Sequence, residues 1–371
     1  MSQATRLGTR LLLLGTVALL VGCTSFGSSI LTGERVNYNA ALQITNDEQL
    51  LLNLVRLRYL DSTAFMDVGN ITAQSSFQAG LEGGKDSGEA GDATTVFGVS
   101  GSISYSTQPT LVYTPLQGED FIRRLMSPLT LERLVLLYHA GWGIKRLFSL
   151  CVQEINEIEN ATRAPQPRPE RVAEYRRFAR VVELLGELDA RDALDLLAES
   201  QPEGAVPGYV LRIAAEAWGT PEAQELAELL GLEPGQSYYR LMYPLAEPGK
   251  APSRDTLYIE TRSVLGMMYF LSHLVEVPKQ DRENGKTKII RSKTSESPDW
   301  KKILGLPFSI KSQSVRPDQA TVAVRYRDSW FYIDDSDLRS KGTFSLLTQI
   351  FALQASAIPV TPPVLTLPVG R

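Results

Sequence analysis

Apolar residues recur along this chain at two different periods, and the switches between them mark its parts. Thr45-Asn46-Asp47-Glu48 has the form of a capping box, with Thr45 as N-cap, so a helix is expected from there to about Tyr59. Its Leu50, Leu51, Leu54, Val55 and Leu57 give a broad apolar face, and Arg56 and Arg58 suit the negative end of the helix dipole. From Val68 to Tyr113 the period becomes two. Phe77, Ala79 and Leu81, and later Phe97, Val99, Gly101, Ile103 and Tyr105, alternate with small or polar residues around a Gly-rich tip at Gly83–Asp92. That pattern predicts a long hairpin with one apolar and one polar face and a mobile tip. Helical spacing returns over Gly118–Asn160: Phe121 and Leu125 before Pro128, then Leu131 to Tyr138, then Ile144, Leu147, Phe148, Cys151, Val152, Ile155 and Ile158 as a third helix.

Three prolines in Ala161–Pro169 predict a loop, and Arg171–Glu199 reads as a charged helix with Val172, Phe178, Val182 and Leu185 inward. Pro221–Leu230 is a further short helix. In the last third, Ser237–Tyr243, Thr256–Glu260, Phe308–Ser312, Ala320–Arg327 and Trp330–Ile333 read as strands. Helices are expected over Arg262–Leu274 and Thr343–Leu353, with Lys279–Lys302 as a polar loop. The expected class is α+β: a helix-rich N-terminal part with a long hairpin, then an antiparallel sheet with helices. The expected organisation is a leader (1–22), a tether (23–34), a helical region with the 68–113 hairpin (35–160), a charged helical region (161–235), an α+β domain (236–357) and a Pro-rich tail (358–371).

The leader changes the picture most. Arg6 and Arg10 precede the apolar run Leu11–Leu20, which is shorter than the roughly 20 residues of a spanning helix and reads as a signal peptide. It ends in Leu20-Val21-Gly22-Cys23, which resembles the lipobox of bacterial lipoproteins. The resemblance implies cleavage before Cys23, a diacylglycerol on its thiol and an acylated amine, an anchor of more than one chain that does not come off. By resemblance to Gram-negative lipoproteins, Thr24 rather than Asp after the Cys implies export to the outer membrane rather than retention in the inner one, with the protein facing the periplasm. Loss of residues 1–22 leaves 349 of the 371 residues and moves the net charge from −4 to −6. A field of that sign does not hold nucleic acid. Cys151 is then the one remaining thiol, so no disulfide within the chain is possible.

Catalytic equipment is sparse. His139 and His273 are the only histidines, and neither has the partner residues of a zinc helix. Gly98-Val99-Ser100-Gly101 approaches a nucleophile elbow but sits inside the expected hairpin with no helix after it. Asp334, Asp335 and Asp337 are the densest acids. They are weak candidates for a hard cation, but read better as a polar turn near a helix N-terminus. Lys279–Lys302 carries eight Lys/Arg and four Asp/Glu, a local excess that could meet anionic headgroups or stand as a solvated loop. No cofactor is expected.

Four stretches resemble a family of uncharacterised proteobacterial lipoproteins: Asn46–Tyr59, Pro109–Leu116, Thr261–Tyr269, and Trp330–Asp335 with the helix after it. The resemblance implies the outer-membrane address and brings no activity with it. The expected function is a structural, assembly or interaction component of the envelope. Its expected partners are the membrane, through Cys23, and an envelope protein or further copies of itself. Two alternatives stay open: a carboxylate-dependent enzyme on an envelope polysaccharide or peptidoglycan, and an oligomeric export pore to which each copy lends its hairpin.

Overall fold

The computed structural model describes residues 36–85, 97–160, 172–199, 208–244, 253–287 and 306–355. The Leu20–Cys23 box, the tether, the tail, most of the hairpin tip and the basic segment beyond Thr287 lie outside them. Helices and sheets combine in an α+β fold. The chain divides into two compact units, with the hairpin segment Ala64–Gly118 in one and residues Glu119–Ala357 in the other.

The first helix (α1, 36–58) begins well before Thr45, so the expected capping box is not a cap. The Thr45 hydroxyl instead donates back to the carbonyls of Ala41 (3.0 Å) and Leu42 (3.0 Å), the bond a threonine makes inside a helix. The expected apolar face is real: Leu51, Leu54 and Val55 are fully buried.

Strands β1 (Phe65–Lys85) and β2 (Phe97–Leu116) pair antiparallel along their whole length, from Phe65 opposite Leu116 to Lys85 opposite Phe97. One irregularity, between Val68 and Asn70, interrupts the register. At about 3.4 Å per residue the ribbon is roughly 65 Å long.

The larger unit is built on a six-stranded sheet, ordered β4-β3-β8-β7-β6-β5. Its strands are β3 (Val152–Ile155), β4 (Ile158–Glu159), β5 (Leu194–Glu199), β6 (Gly208–Ile213), β7 (Tyr238–Met242) and β8 (Thr256–Thr261). All neighbours are antiparallel except β7 and β8, which run parallel, so the sheet is mixed rather than antiparallel. It draws strands from all three sequence regions (35–160, 161–235 and 236–357), which therefore share one core. Two expected helices are shorter than their periodicity implied. The helix from Ile144 (α4, Ile144–Cys151, after α2, Glu119–Met126, and α3, Leu131–His139) stops at Cys151. The chain then turns through left-handed Asn156 and Glu157 (φ 44° and 66°) to make β3 and β4. The charged helix (α5, Val172–Asp189) ends five residues before β5, and Asp192 turns the chain at φ 55°.

Helix α5 packs against α4 and against α6 (Pro221–Leu230). Helix α7 (Val264–Ser272) is apolar nearly all round and buries Val264, Met267, Met268, Phe270 and Leu271, at about 1.5–3 kcal/mol of transfer free energy for each large side chain. The segment expected as a polar loop opens with a short helix (α8, Lys279–Glu283). A second sheet, ordered β10-β11-β9, comprises β9 (Lys311–Gln313), β10 (Ala320–Tyr326) and β11 (Ser329–Asp334). The last helix (α9, Leu338–Ala355) packs on α2 and α7.

Candidate functional site

The most unusual group in the larger unit is Arg262, a guanidinium that is 2% exposed and has no carboxylate beside it among the described residues. It donates instead to main-chain oxygens: Ser149 (3.4 Å), Leu150 (3.1 Å), Val152 (2.9 Å) and Asn160. Its Cζ lies over the Phe270 ring, 4.1 Å from the centroid. Three of those carbonyls end α4 or follow it, where the helix dipole favours a cation. Burial pulls the guanidinium down to about 9, which leaves it charged at neutral pH. The residues around it continue the stitching. Thr261 donates its hydroxyl to the Leu129 carbonyl, the Arg262 N–H donates to the Cys151 carbonyl (2.7 Å), and the Ser263 hydroxyl caps α7 at the Gly266 N–H (3.1 Å). Thr261-Arg262-Ser263 is thus an architectural hub.

The residues singled out from the sequence fall in separate places. Cys151 is fully buried, and burial pushes its thiol up to about 12, so it is no nucleophile at neutral pH. His139 is exposed at the end of α3, edge-on to Tyr138. His273 is enclosed with neither ring nitrogen hydrogen-bonded; burial first, then Arg58 and Arg262, pulls it down to about 4. Gly98–Gly101 lies at the start of β2, with strand and no helix after it. Asp334 pairs with Lys311 (2.9 Å) and Asp335 with Lys341 (2.6 Å), while Asp337 accepts from the Ser340 N–H (3.1 Å) at the start of α9. The Ser336 hydroxyl and Lys311 bring Asp334 down to about 2. The three carboxylates thus serve separate partners, and among the described residues no group of three His, Cys, Asp or Glu is placed to hold a metal ion.

Tertiary structure assembles two features that spacing along the chain did not reveal. One is a polar knot where α1 ends. Tyr59 donates to Asp281 (2.6 Å), which Lys286 also holds (2.7 Å); Tyr326 and Arg327 both bond Asp61, and Arg327 stacks 4.5 Å over the Tyr59 ring. Burial opposes the Asp281 charge, but Lys286 and Tyr59 outweigh it and hold the carboxyl below its usual range. The other is a cross-strand row of carboxylates, Glu159 opposite Glu154 opposite Glu260, in which Gln153 donates to Glu260 (3.3 Å). Each of the three acids has a partner of its own.

Among the described residues of this unit, one hollow of about 680 Å³ lies beside α6 and is lined by Trp218, Glu228, Leu232 and Arg254. Another, about 550 Å³, lies where β6 and β7 meet the start of α3. Tyr209, Met242 and Tyr243 line it together with Glu132, Glu199 and Arg240. Tyr243 is fixed in place because its oxygen accepts the Leu131 N–H (2.8 Å). Burial, and then Glu132 and Tyr243, raise the Tyr209 phenol. Phenol faces with acids at the rim suit the binding of a polar chain, and two carboxylates are the groups an acid/base hydrolase uses.

Compared with known protein families, with curated proteins and with solved structures, the chain matches none of them.

Proposed function

We propose that this chain is a lipid-anchored protein of the Gram-negative envelope, held through Cys23 in the outer membrane and facing the periplasm. In this reading it is a proteobacterial lipoprotein with a structural, assembly or interaction role. The observation that carries it is Leu20-Val21-Gly22-Cys23 at the end of a short apolar run behind Arg6 and Arg10. The chain's other cysteine, Cys151, is buried, which fits a structural role for it rather than one in anchoring. Labelled palmitate should enter the wild type and not Cys23→Ser; equal labelling of both would overturn the anchor. A second reading, an enzyme acting on an envelope glycan, draws on the presence of two carboxylates, Glu132 and Glu199, among the residues lining one groove. It requires that the purified protein turn over peptidoglycan or exopolysaccharide and that Glu132→Gln and Glu199→Gln stop it. An unchanged product profile with both polymers rejects it.

A further inference from the structure

The hairpin β1–β2 differs in chemistry from the rest of the chain. Its 21- and 20-residue strands carry three charges, Asp67, Glu82 and Lys85, in a protein that is 22% charged. The register sorts its residues by face. Phe77 stands opposite Tyr105 and Ala79 opposite Ile103; beyond them come Leu81 with Gly101, Gly83 with Val99, and Lys85 with Phe97. The alternate rows, on the other face, are polar or glycine: Gln74 with Gln108, Ser76 with Ser106, Gln78 with Ser104, Gly80 with Ser102, Glu82 with Ser100 and Gly84 with Gly98.

The register also supplies dimensions. Aromatic residues stand on this face at Phe77/Tyr105, where the next row is the polar Ser75/Thr107 before Ala73/Pro109 and Ile71/Leu111, and at Phe97, which faces Lys85; nine residues of each strand lie between and including those rows, 77–85 and 97–105. Nine residues run about 27 Å along a strand, or about 21 Å along the membrane normal at a tilt of about 40°, close to the ~25 Å apolar band of outer-membrane barrels with aromatic girdles at its edges. Pro109, which cannot donate to a neighbouring strand, lies outside this band. Among the described residues, β1 and β2 pair only with each other, so each has an outer edge. Soluble proteins blunt such edges with charges and bulges, and these nine-residue stretches carry charge only at Glu82 and Lys85. In hydrocarbon an open edge is untenable, and only a closed ring of strands satisfies it.

We infer that the β1–β2 hairpin is a membrane element and that several copies of this chain close their hairpins, edge to edge, into one β-barrel. The occupant of each edge is the hairpin of a second copy, and the apolar face meets lipid. This deepens the anchored reading and rests on it, because lipidated Cys23 holds the copies at one membrane surface. Four copies would supply the eight strands of the smallest membrane barrels. Gln, Ser and Thr line the lumen, and Glu82, once per copy, forms a ring of carboxylates that favours cations.

The test uses full-length lipidated protein in phosphatidylglycerol–phosphatidylcholine vesicles, with single cysteines at 78, 79, 81, 103 and 104 carrying an environment-sensitive fluorophore; unsubstituted protein gives the background from Cys151. Nitroxide-labelled acyl chains should remove most of the emission at 79, 81 and 103 and little at 78 and 104, with aqueous iodide doing the reverse. Detergent-extracted protein should be an oligomer of four or more copies, and planar bilayers should show cation-preferring conductance whose preference is lost in Glu82→Gln. Val99→Asp and Ile103→Asp should lose the oligomer while keeping palmitate and fold; a chain that unfolds would make these residues core and overturn the inference. Vesicles that float with anchored protein, yet show no lipid quenching at 79, 81 and 103 or only monomer, would overturn the barrel and leave the anchor standing. Equal quenching at 78 and 79 would overturn it too.

Discussion

Replacing Arg262 tests whether its hub holds α4, β3 and α7 together. Truncation removes the donor from four main-chain carbonyls. Two of them, Ser149 and Val152, keep the Asn160 side-chain amide at 2.9 and 2.7 Å, whereas those of Leu150 and Asn160 do not. Two buried acceptors left short of a donor cost about 1–3 kcal/mol each. Loss of the stack on Phe270 adds about 2 kcal/mol for a desolvated cation. Relief of the buried charge works the other way by several kcal/mol. In an ordinary buried ion pair that relief often wins when both partners are replaced. Here the partners are backbone carbonyls, which no substitution can remove. The net expectation for Arg262→Met, which keeps the volume, is a loss of about 2–4 kcal/mol. Arg262→Lys should lose nearly as much, since one ammonium cannot span the carbonyls of Leu150 and Asn160 as a planar fork does. Urea unfolding of the detergent-solubilised protein, followed by tryptophan emission, reads this as a lower midpoint at unchanged slope. Asn160→Ala completes a double-mutant cycle and should couple to Arg262, because the two side chains share the Ser149 and Val152 carbonyls. If Arg262→Met is within about 0.5 kcal/mol of wild type, the reasoning about backbone partners is wrong.

Acidification should reveal His273. Its folded-state value of about 4 lies below the 6.5 of an ordinary histidine, so between those limits the unfolded chain binds a proton that the native state refuses. Stability is therefore intact above 6.5 and falls as the pH drops toward 4, by up to about 3 kcal/mol from this group. His273→Gln should flatten that limb of the stability profile, and an identical slope in the variant would refute the assignment. Gly231 ends α6 at φ 67°, and its N–H donates to the carbonyls of Ala227 and Glu228. Gly231→Ala should lower stability by about 1 kcal/mol in the same unfolding assay, through left-handed strain alone, because an added Cβ meets nothing within 4 Å.

Periodicity found the elements whose apolar pattern is local and sustained. The apolar face of α1, the alternation of β1 and β2, and the run of α7 were visible because each extends over many residues. It failed where two periods coincide. Cys151, Val152, Ile155 and Ile158 fit a helical stripe, yet Val152, Ile155 and Ile158 are buried strand residues, with Val152 and Ile155 paired to β8. The pair Asn156-Glu157 in the left-handed region was the local signal of that turn. Leu194–Glu199 was absorbed into a helix for the same reason, since short apolar runs take whichever structure their neighbours offer.

What could be read from the sequence alone was the short apolar run that ends at Leu20-Val21-Gly22-Cys23, the scarcity of histidine and thiol, and the alternation of the hairpin, because each depends on residues adjacent along the chain. Only the tertiary structure decided that Arg262 faces carbonyls more than a hundred residues away, that Tyr59 meets Asp281, and that Tyr209 and Tyr243 share a groove with Glu132. It also decided which residues stand opposite one another in β1 and β2, and so that Phe77 meets Tyr105, Ala79 meets Ile103 and Phe97 meets Lys85 on one face. Alternation within a strand fixes a face, but strand register is set by hydrogen bonds between segments, and no single segment contains that information.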